Sequence, residues 1–401
     1  MADMGKTTDR KPGEKKGKKA PWRAERKKRL GILKKAIGIE LVCILTTVCL
    51  LSGKYAVTER QKGSADTSGQ EQGVLYVQTA SADTQQEAEQ SDGEETEEQK
   101  KDYIKWVDFN VTQTAMQRAL RYDLESYGTE CHLDWIVLLA YAGCRGGGEF
   151  SKKSLEYIDT AVEALTGGQS VEEFTKDLQY YDYYYEAYSA VLGGFVGEYQ
   201  TPDENGEYQT CYGVKVFSPI AGGFGYSDYD DFGSSRSYGY SRPHLGHDMM
   251  GMIGTPIIAI ESGYVEALGW NQYGGWRIGI RSFDGKRYYY YAHLRQNYPY
   301  AEGLQEGSVV TAGDVIGYMG HTGYSATENV NNIETVHLHW GMELIFDESQ
   351  KDSNNEIWID CYELTKFLSN YRSTAQKVGD TREWTRTTPM IDPVVENYLS
   401  Q

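Results

Sequence analysis

Residues 214–346 have a texture that leaves few folds open. Glycine becomes frequent, and β-branched or aromatic residues alternate with polar ones. Alternation of period two sends successive side chains to opposite faces of a strand. Residues 276–281 and 286–293 flank Ser282-Phe283-Asp284-Gly285, and Asp-Gly between alternating runs is a strong hairpin signal. Val309-Val310 and residues 315–318, around Ala312-Gly313-Asp314, predict a second tight strand–turn–strand. No stretch here is long and periodic enough for a helix, so an all-β domain is expected over 214–346.

The preceding residues, 103–213, read as a helical domain. Val111, Ala115, Ala119 and Met116, Leu120, Leu124 form two adjacent i, i+4 rows, hence one apolar stripe. Residues 133–142 (LDWIVLLAYA) are apolar on most sides and predict a buried helix ended by Gly146-Gly147-Gly148. A third helix fits residues 151–165, stopped by Gly167-Gly168. Ser170 and Glu173 have capping-box spacing, in which each side chain satisfies an orphan N–H. They open a fourth helix carrying Tyr180, Tyr181, Tyr183, Tyr184, Tyr185 and Tyr188. Exposed tyrosines could stack on sugar rings, but packing with hydroxyls turned to water is the expectation. Residues 347–401 form a C-terminal extension, with a short closing helix over 361–370 and a loose polar tail after Ser373.

The N-terminal part places these domains. Residues 1–35 hold fourteen Lys/Arg against four acids, so they carry +10 and the remainder −28 of a net charge of −18. A basic head alone would suggest nucleic acid. Here it runs into residues 36–52, AIGIELVCILTTVCLLS, whose one charge is Glu40. Seventeen residues is the low limit for a membrane span. Basic flanks stay in the cytoplasm. The expectation is therefore a single-pass transmembrane anchor, with a cytoplasmic N-terminus, the domains after residue 103 outside the cytoplasm, and no nucleic-acid partner. A cleaved leader would usually have a shorter basic region, and a buried core helix would sit in an amphipathic pattern. Residues 53–101 read as an acidic disordered linker, since 82–100 hold no large apolar residue.

Six of the seven histidines fall between His244 and His339. They occur chiefly in His244-Leu245-Gly246-His247-Asp248, Tyr291-Ala292-His293-Leu294 and His337-Leu338-His339-Trp340. Imidazole is the commonest metal-ligating side chain and titrates near neutrality. The cysteines form no CxxC pair, so a cysteine metal site is not expected. His244 and Asp248 share a face on either a strand or a helix, whereas His247 would point away on a strand. His337 and His339 share a strand face, with Leu338 toward the core. A catalytic zinc takes three protein ligands and leaves a place for water. His244, Asp248 and one of His337/His339 supply that count. The histidines left over would move protons and stabilise an oxyanion.

Residues 214–346 resemble the lysostaphin/LytM-type zinc metallopeptidases, which cut peptide bonds in bacterial cell-wall peptidoglycan. Pro219-Ile220-Ala221-Gly222-Gly223-Phe224-Gly225-Tyr226, the HLGHD run from His244, and Gly254-Thr255-Pro256-Ile257-Ile258-Ala259 carry the likeness. So do Gly263-Tyr264-Val265, the YAHL run, Gly313-Asp314-Val315-Ile316-Gly317 and the HLH run from His337. The resemblance implies an all-β fold (a duplicated hybrid motif) with an open groove. It implies zinc on His244, Asp248 and His339, with His337 as general base and His293 stabilising the transition state. Two segments depart from the pattern: 227–243, long and tyrosine-rich, and 321–336, with Asn329, Asn331 and Asn332. The helical region lies outside the family domain and is a candidate for contact with an envelope protein. The expected function is a membrane-anchored zinc endopeptidase acting on peptidoglycan peptides. The alternative is a catalytically silent scaffold in a cell-envelope, division or sporulation complex.

Overall fold

A computed structural model describes residues 103–401 apart from 239 and 352–354. The expected anchor (36–52) and linker (53–101) lie outside the described residues. Among the described residues no helix is long and apolar enough to cross a membrane.

The first helices follow their caps. Helix α1 (Gln113–Ser126) starts where Thr112 accepts from the Ala115 N–H. Helix α2 (Trp135–Gly146) starts at Asp134, which accepts from the Ile136 N–H, and ends on Gly147 at φ 66°. Helix α3 (Lys152–Thr166) has a Ser151/Ser154 capping box. The predicted α1 stripe buries Ala115, Met116, Ala119 and Leu120, but Leu124 is 40% exposed. An i, i+4 row drifts about 40° per step on a 3.6-residue helix, so its third member has rotated out of the contact. The Ser170/Glu173 box forms, yet it opens only α4 (Val171–Thr175). Turns from Leu178 N–H to the Thr175 carbonyl and from Tyr181 N–H to the Leu178 carbonyl interrupt the helix, and Leu178 packs on the core. The tyrosine run therefore sits on a separate helix, α5 (Tyr181–Leu192). Tyr181 and Tyr188 are buried there, while Tyr180, Tyr183 and Tyr185 are exposed.

The next hairpin pairs β1 (Val196–Pro202) with β2 (Tyr208–Val214). The β region follows with β3 (Ser235–Tyr238), β4 (Tyr240–Pro243), β5 (His247–Met250), β6 (Pro256–Ile258) and β7 (Gly263–Asn271). It continues with β8 (Gly275–Ser282), β9 (Arg287–Ala292), β10 (Val309–Val310), β11 (Val315–Tyr318), β12 (His337–Leu344) and β13 (Ile357–Trp358). The main sheet is antiparallel in the order β10-β7-β8-β9-β12-β13, and β5 also pairs with β12. The Asp-Gly hairpin forms as expected between β8 and β9, with Gly285 at φ 74°. The second expected hairpin does not. Its turn is present, with the Asp314 N–H on the Thr311 carbonyl, but β10 pairs with β7 and β11 with β6. Each flank pairs instead with a different strand, β10 with the nine-residue β7 and β11 with the three-residue β6.

Sheet alternation separates a core face from an open face. Ile278, Ile280, Tyr289, Tyr291, Leu338, Trp340 and Met342 are fully buried. Between them, Tyr288, Tyr290, His337 and His339 turn to the other face. The helices join the same core. Trp135 stacks on Phe367 of α6 (Tyr362–Leu368), and Arg287 donates to the Ala190 carbonyl at 2.7 Å and to Glu261 at 2.8 Å. The tail after Ser373 is not loose. Strands β14 (Ala375–Lys377) and β15 (Trp384–Arg386) pair, and helix α7 (Pro393–Leu399) follows. Asp392 receives the Lys215 ammonium at 2.8 Å and the Ser262 hydroxyl at 2.7 Å, both in buried surroundings. Polar composition suggested looseness, but these polar groups have buried partners.

Candidate active site

Strand β12 organises the site through its two neighbours. On one side His339 is in register with Asp248 of β5; on the other it is in register with Ala292 of β9, and His293 follows. His337 and His339 lie two apart on the open face, with Leu338 buried between them, as the sequence predicts. His244 arrives differently. The even spacing to Asp248 predicted one shared strand or helix, but β5 begins at His247 and His244 lies in the approach to it. Backbone hydrogen bonds of 2.9 Å and 2.8 Å, from His244 N–H to the Ser234 carbonyl and from Gly233 N–H to the His244 carbonyl, fix it there.

Three donor atoms converge. His244 Nε2 is 2.9 Å from His339 Nδ1 and 3.1 Å from Asp248 Oδ1, and His339 Nδ1 is 3.0 Å from the same oxygen. His244 Nδ1 lies 3.3 Å from both the backbone carbonyl and a carboxylate oxygen of Asp231. Those oxygens only accept, and the Arg236 guanidinium, a donor 3.4 Å from Nδ1, is farther away and already given to Asp231, so Nδ1 carries the proton and Nε2 presents a lone pair. An outer carboxylate that fixes the tautomer of a ligating histidine is the usual second partner at metal sites. Tetrahedral bonds of about 2.0–2.1 Å put ligand atoms about 3.3 Å apart. The observed triangle is within a few tenths of that, and these residues fit zinc. Burial works against the Asp248 carboxylate, but hydrogen bonds with His244 and His339 hold it well below the usual carboxylate range. Burial pushes His339 down, so that its neutral, ligating form is favoured.

His293 and His337 stand beside this triangle, with ring centroids 4.7 Å apart. His293 Nδ1 is 2.9 Å from the Thr322 carbonyl, and His337 Nδ1 is 2.9 Å from the Thr335 carbonyl. Each therefore uses its Nδ1–H on the backbone and leaves Nε2 as an acceptor when neutral. His337 Nε2 is 3.6 Å from Asp248 Oδ1. Burial, reinforced by His337 and His339, holds His293 well below the ordinary imidazole range. His293 also adopts φ 61°, an uncommon conformation outside glycine, held by its N–H on the Gly274 carbonyl at 2.7 Å.

Residues 242–353 match the description "Peptidase family M23". The chain carries an M23 peptidase domain. It is 39% identical over 153 residues to the L-Ala–D-Glu endopeptidase of Bacillus subtilis, across 38% of this chain and 43% of that one. It is 38% identical over 89 residues to lysostaphin of Staphylococcus simulans, across 22% and 17% of the two chains. The chain thus spans less than half the length of either relative. A LytM protein of Ruminococcus gnavus is a further solved likeness, at 25% identity and TM-score 0.41, covering 66% of this chain and 90% of that one.

His247, expected to point away, and His321 both stay outside the triangle. His247 Nε2 binds Asp228 at 3.0 Å, and His321 Nδ1 meets the Ile333 carbonyl at 2.6 Å. Other neighbours had no spacing to reveal them. Arg236 donates to Asp231 and, at 3.2 Å, to Asp248. Arg242, Tyr290 and Tyr324 line the same cavity. Gly246, visible in HLGHD, has a packing reason. A Cβ there would lie 2.6 Å from the His339 ring and 2.8 Å from the Trp340 carbonyl.

Proposed function

We propose that the chain is a zinc metalloendopeptidase that hydrolyses peptide bonds of bacterial cell-wall peptidoglycan. The observation that carries this reading is the convergence of His244, Asp248 and His339, with two further imidazoles presenting Nε2 beside them. The M23 match and the endopeptidases among its relatives support it.

His244, Asp248 and His339 would hold one zinc ion. When bound, the ion supplies Lewis acidity that acidifies water and polarises the scissile carbonyl. His337 Nε2 takes the proton of the attacking water, because its Nδ1–H is already given to Thr335. The resulting imidazolium returns that proton to the leaving amine. His293, neutral at rest, accepts a hydrogen bond from the hydroxyl added to the carbonyl carbon, and so stabilises the transition state. Arg236 and Asp231 hold the ligands in place from behind.

For location, the reading rests on sequence alone: residues 36–52 anchor the chain, the N-terminus stays cytoplasmic, and the M23 domain works outside, at the wall. Exposed Trp106, Tyr180, Tyr183 and Tyr185 mark where the helical side would meet wall or an envelope protein. The silent-scaffold alternative is disfavoured because both catalytic histidines stand beside a complete ligand set. Digestion of defined muropeptides with product mass analysis tests the proposal. Wild type is expected to release products and His337→Ala is not; no product from the zinc-loaded wild type would overturn it.

A further inference from the structure

The open face of the main sheet continues past the ligand triangle as a groove. Arg242, Tyr290 and His339 line both the cavity that holds the triangle and this groove, and Arg277 lies farther along it. Arg277 is on β8, where Ile278 and Ile280 face the core, so alternation turns Arg277 to the groove. Both guanidiniums act electrostatically on the Tyr290 hydroxyl.

Among the described residues these two arginines, like Arg295 elsewhere in the domain, lack the carboxylate partner that several neighbours have. Arg236, Arg281, Arg287 and Arg386 each pair with a carboxylate. Arg242 instead donates to the Tyr324 hydroxyl at 3.2 Å and lies over the Tyr273 and Tyr324 rings at 5.4 Å and 5.7 Å. Among the described residues neither Arg242 nor Arg277 has an ion pair, and the Nε of each is buried without a hydrogen-bond partner. A buried donor left unpaired costs about 1–3 kcal/mol, more when charged. The acids that line the groove do not answer this need. Glu266 is taken by Lys351 and by Arg281 at 3.6 Å, and Glu356 accepts from the Trp358 indole at 2.8 Å. Glu343 is buried on β12 and has an interaction of its own; among the described residues no ion pair joins it to either arginine. Among the described residues, a chain of net charge −18 thus keeps two cations without an ion pair in a groove that adjoins its reactive centre. Planar guanidinium donors match carboxylates.

We propose that Arg242 and Arg277 read a substrate carboxylate, so that this domain selects anionic peptides with a free carboxylate near the scissile bond over uncharged ones. The inference rests on the peptidase reading and names the substrate class of the same site. Arg242, which borders the triangle, takes the carboxylate nearest the bond that is cut. Arg277 holds the peptide farther along. A Glu residue linked through either of its carboxyl groups keeps the other free, and it is the simplest residue that meets this chemistry. A run of glycines has no such group.

The test uses the full chain with zinc and three labelled peptides: one containing L-Ala–D-Glu with a free carboxylate, its carboxamide twin, and pentaglycine. Binding is measured by calorimetry on His337→Ala, and cleavage on the active protein. Wild type should favour the acid over the carboxamide by about tenfold or more in kcat/KM, in keeping with a hydrogen bond to a charged group. In Arg277→Gln and Arg242→Gln that ratio should fall toward one. The ratio is independent of how much of each variant is folded. Equal use of acid and carboxamide by wild type, or an unchanged ratio in both variants, overturns the carboxylate reading and leaves the peptidase reading standing. Preferential binding of the acid without cleavage of any peptide overturns the peptidase reading and leaves the carboxylate site standing. Neither binding nor cleavage overturns both.

Discussion

The site is assembled from two kinds of backbone. The sheet side, β5 and β12, delivers Asp248, His337 and His339 through pairing register, and His293 stands just past the end of β9. The other, loop side, residues 227–246 and 321–336, delivers His244, Asp231 and Tyr324 from loops, and Arg236 and Arg242 from the small β3–β4 hairpin that lies apart from the main sheet. A strand fixes where a side chain points through its period of two, so chemistry on the sheet side can be read from spacing. A loop has no period. What it brings to a site depends on contacts far away in sequence.

That contrast can be broken by substitution. The largest effect belongs to His339→Ala, which should remove both zinc and peptide hydrolysis, since a ligand and the ion's chemistry go together. His337→Ala should lower kcat by about 10²–10⁴ while zinc stays, the range expected for general acid–base catalysis. Metal analysis beside the kinetics checks both, and loss of zinc in His337→Ala would end the division of labour within the pair. Gly246→Ala stands where loop meets sheet. Its Cβ must displace the His339 ring or the Trp340 carbonyl, and a misplacement of about 1 Å can cost about a hundredfold in rate.

Smaller effects sharpen the loop side. Arg236→Leu leaves Asp231 and Asp248 without their shared guanidinium. Zinc affinity should fall by about 10–100-fold, as for other outer-shell partners, measured by competition with a chelator. Should that loss match the loss in His339→Ala, Arg236 does more than orient the ligands. Asn329→Ala removes the acceptor for the Trp276 indole at 2.9 Å and the Asn297 N–H at 2.8 Å. It should cost about 1–3 kcal/mol in denaturant unfolding and leave zinc content unchanged.

The same contrast explains what was legible in the sequence. The HLH pair was readable because Leu338 had to be buried, and its neighbours then had to face the other way. The Asp-Gly hairpin was readable because its turn chemistry is local. His244 was expected to share one strand or helix with Asp248, but it lies before β5 rather than on it. Asp231 and Arg236 carried no signal, because what makes them matter is a contact with Asp248 or His244 across a loop. The loose tail was misread for a similar reason: composition records that Asp392 is polar but not that Lys215 and Ser262 wait for it in the interior. In the helical half, caps were legible and tertiary turns were not. The Ser170 box formed, while Leu178, drawn to the core, ended the helix it began.

The zinc content of the purified full-length protein, taken from wild type and His337→Ala in one series, tests the central claim most directly. The account predicts about one ion per chain in both. Wild-type protein that takes up no stoichiometric zinc would contradict it, and with it the metallopeptidase reading of the three converging donors.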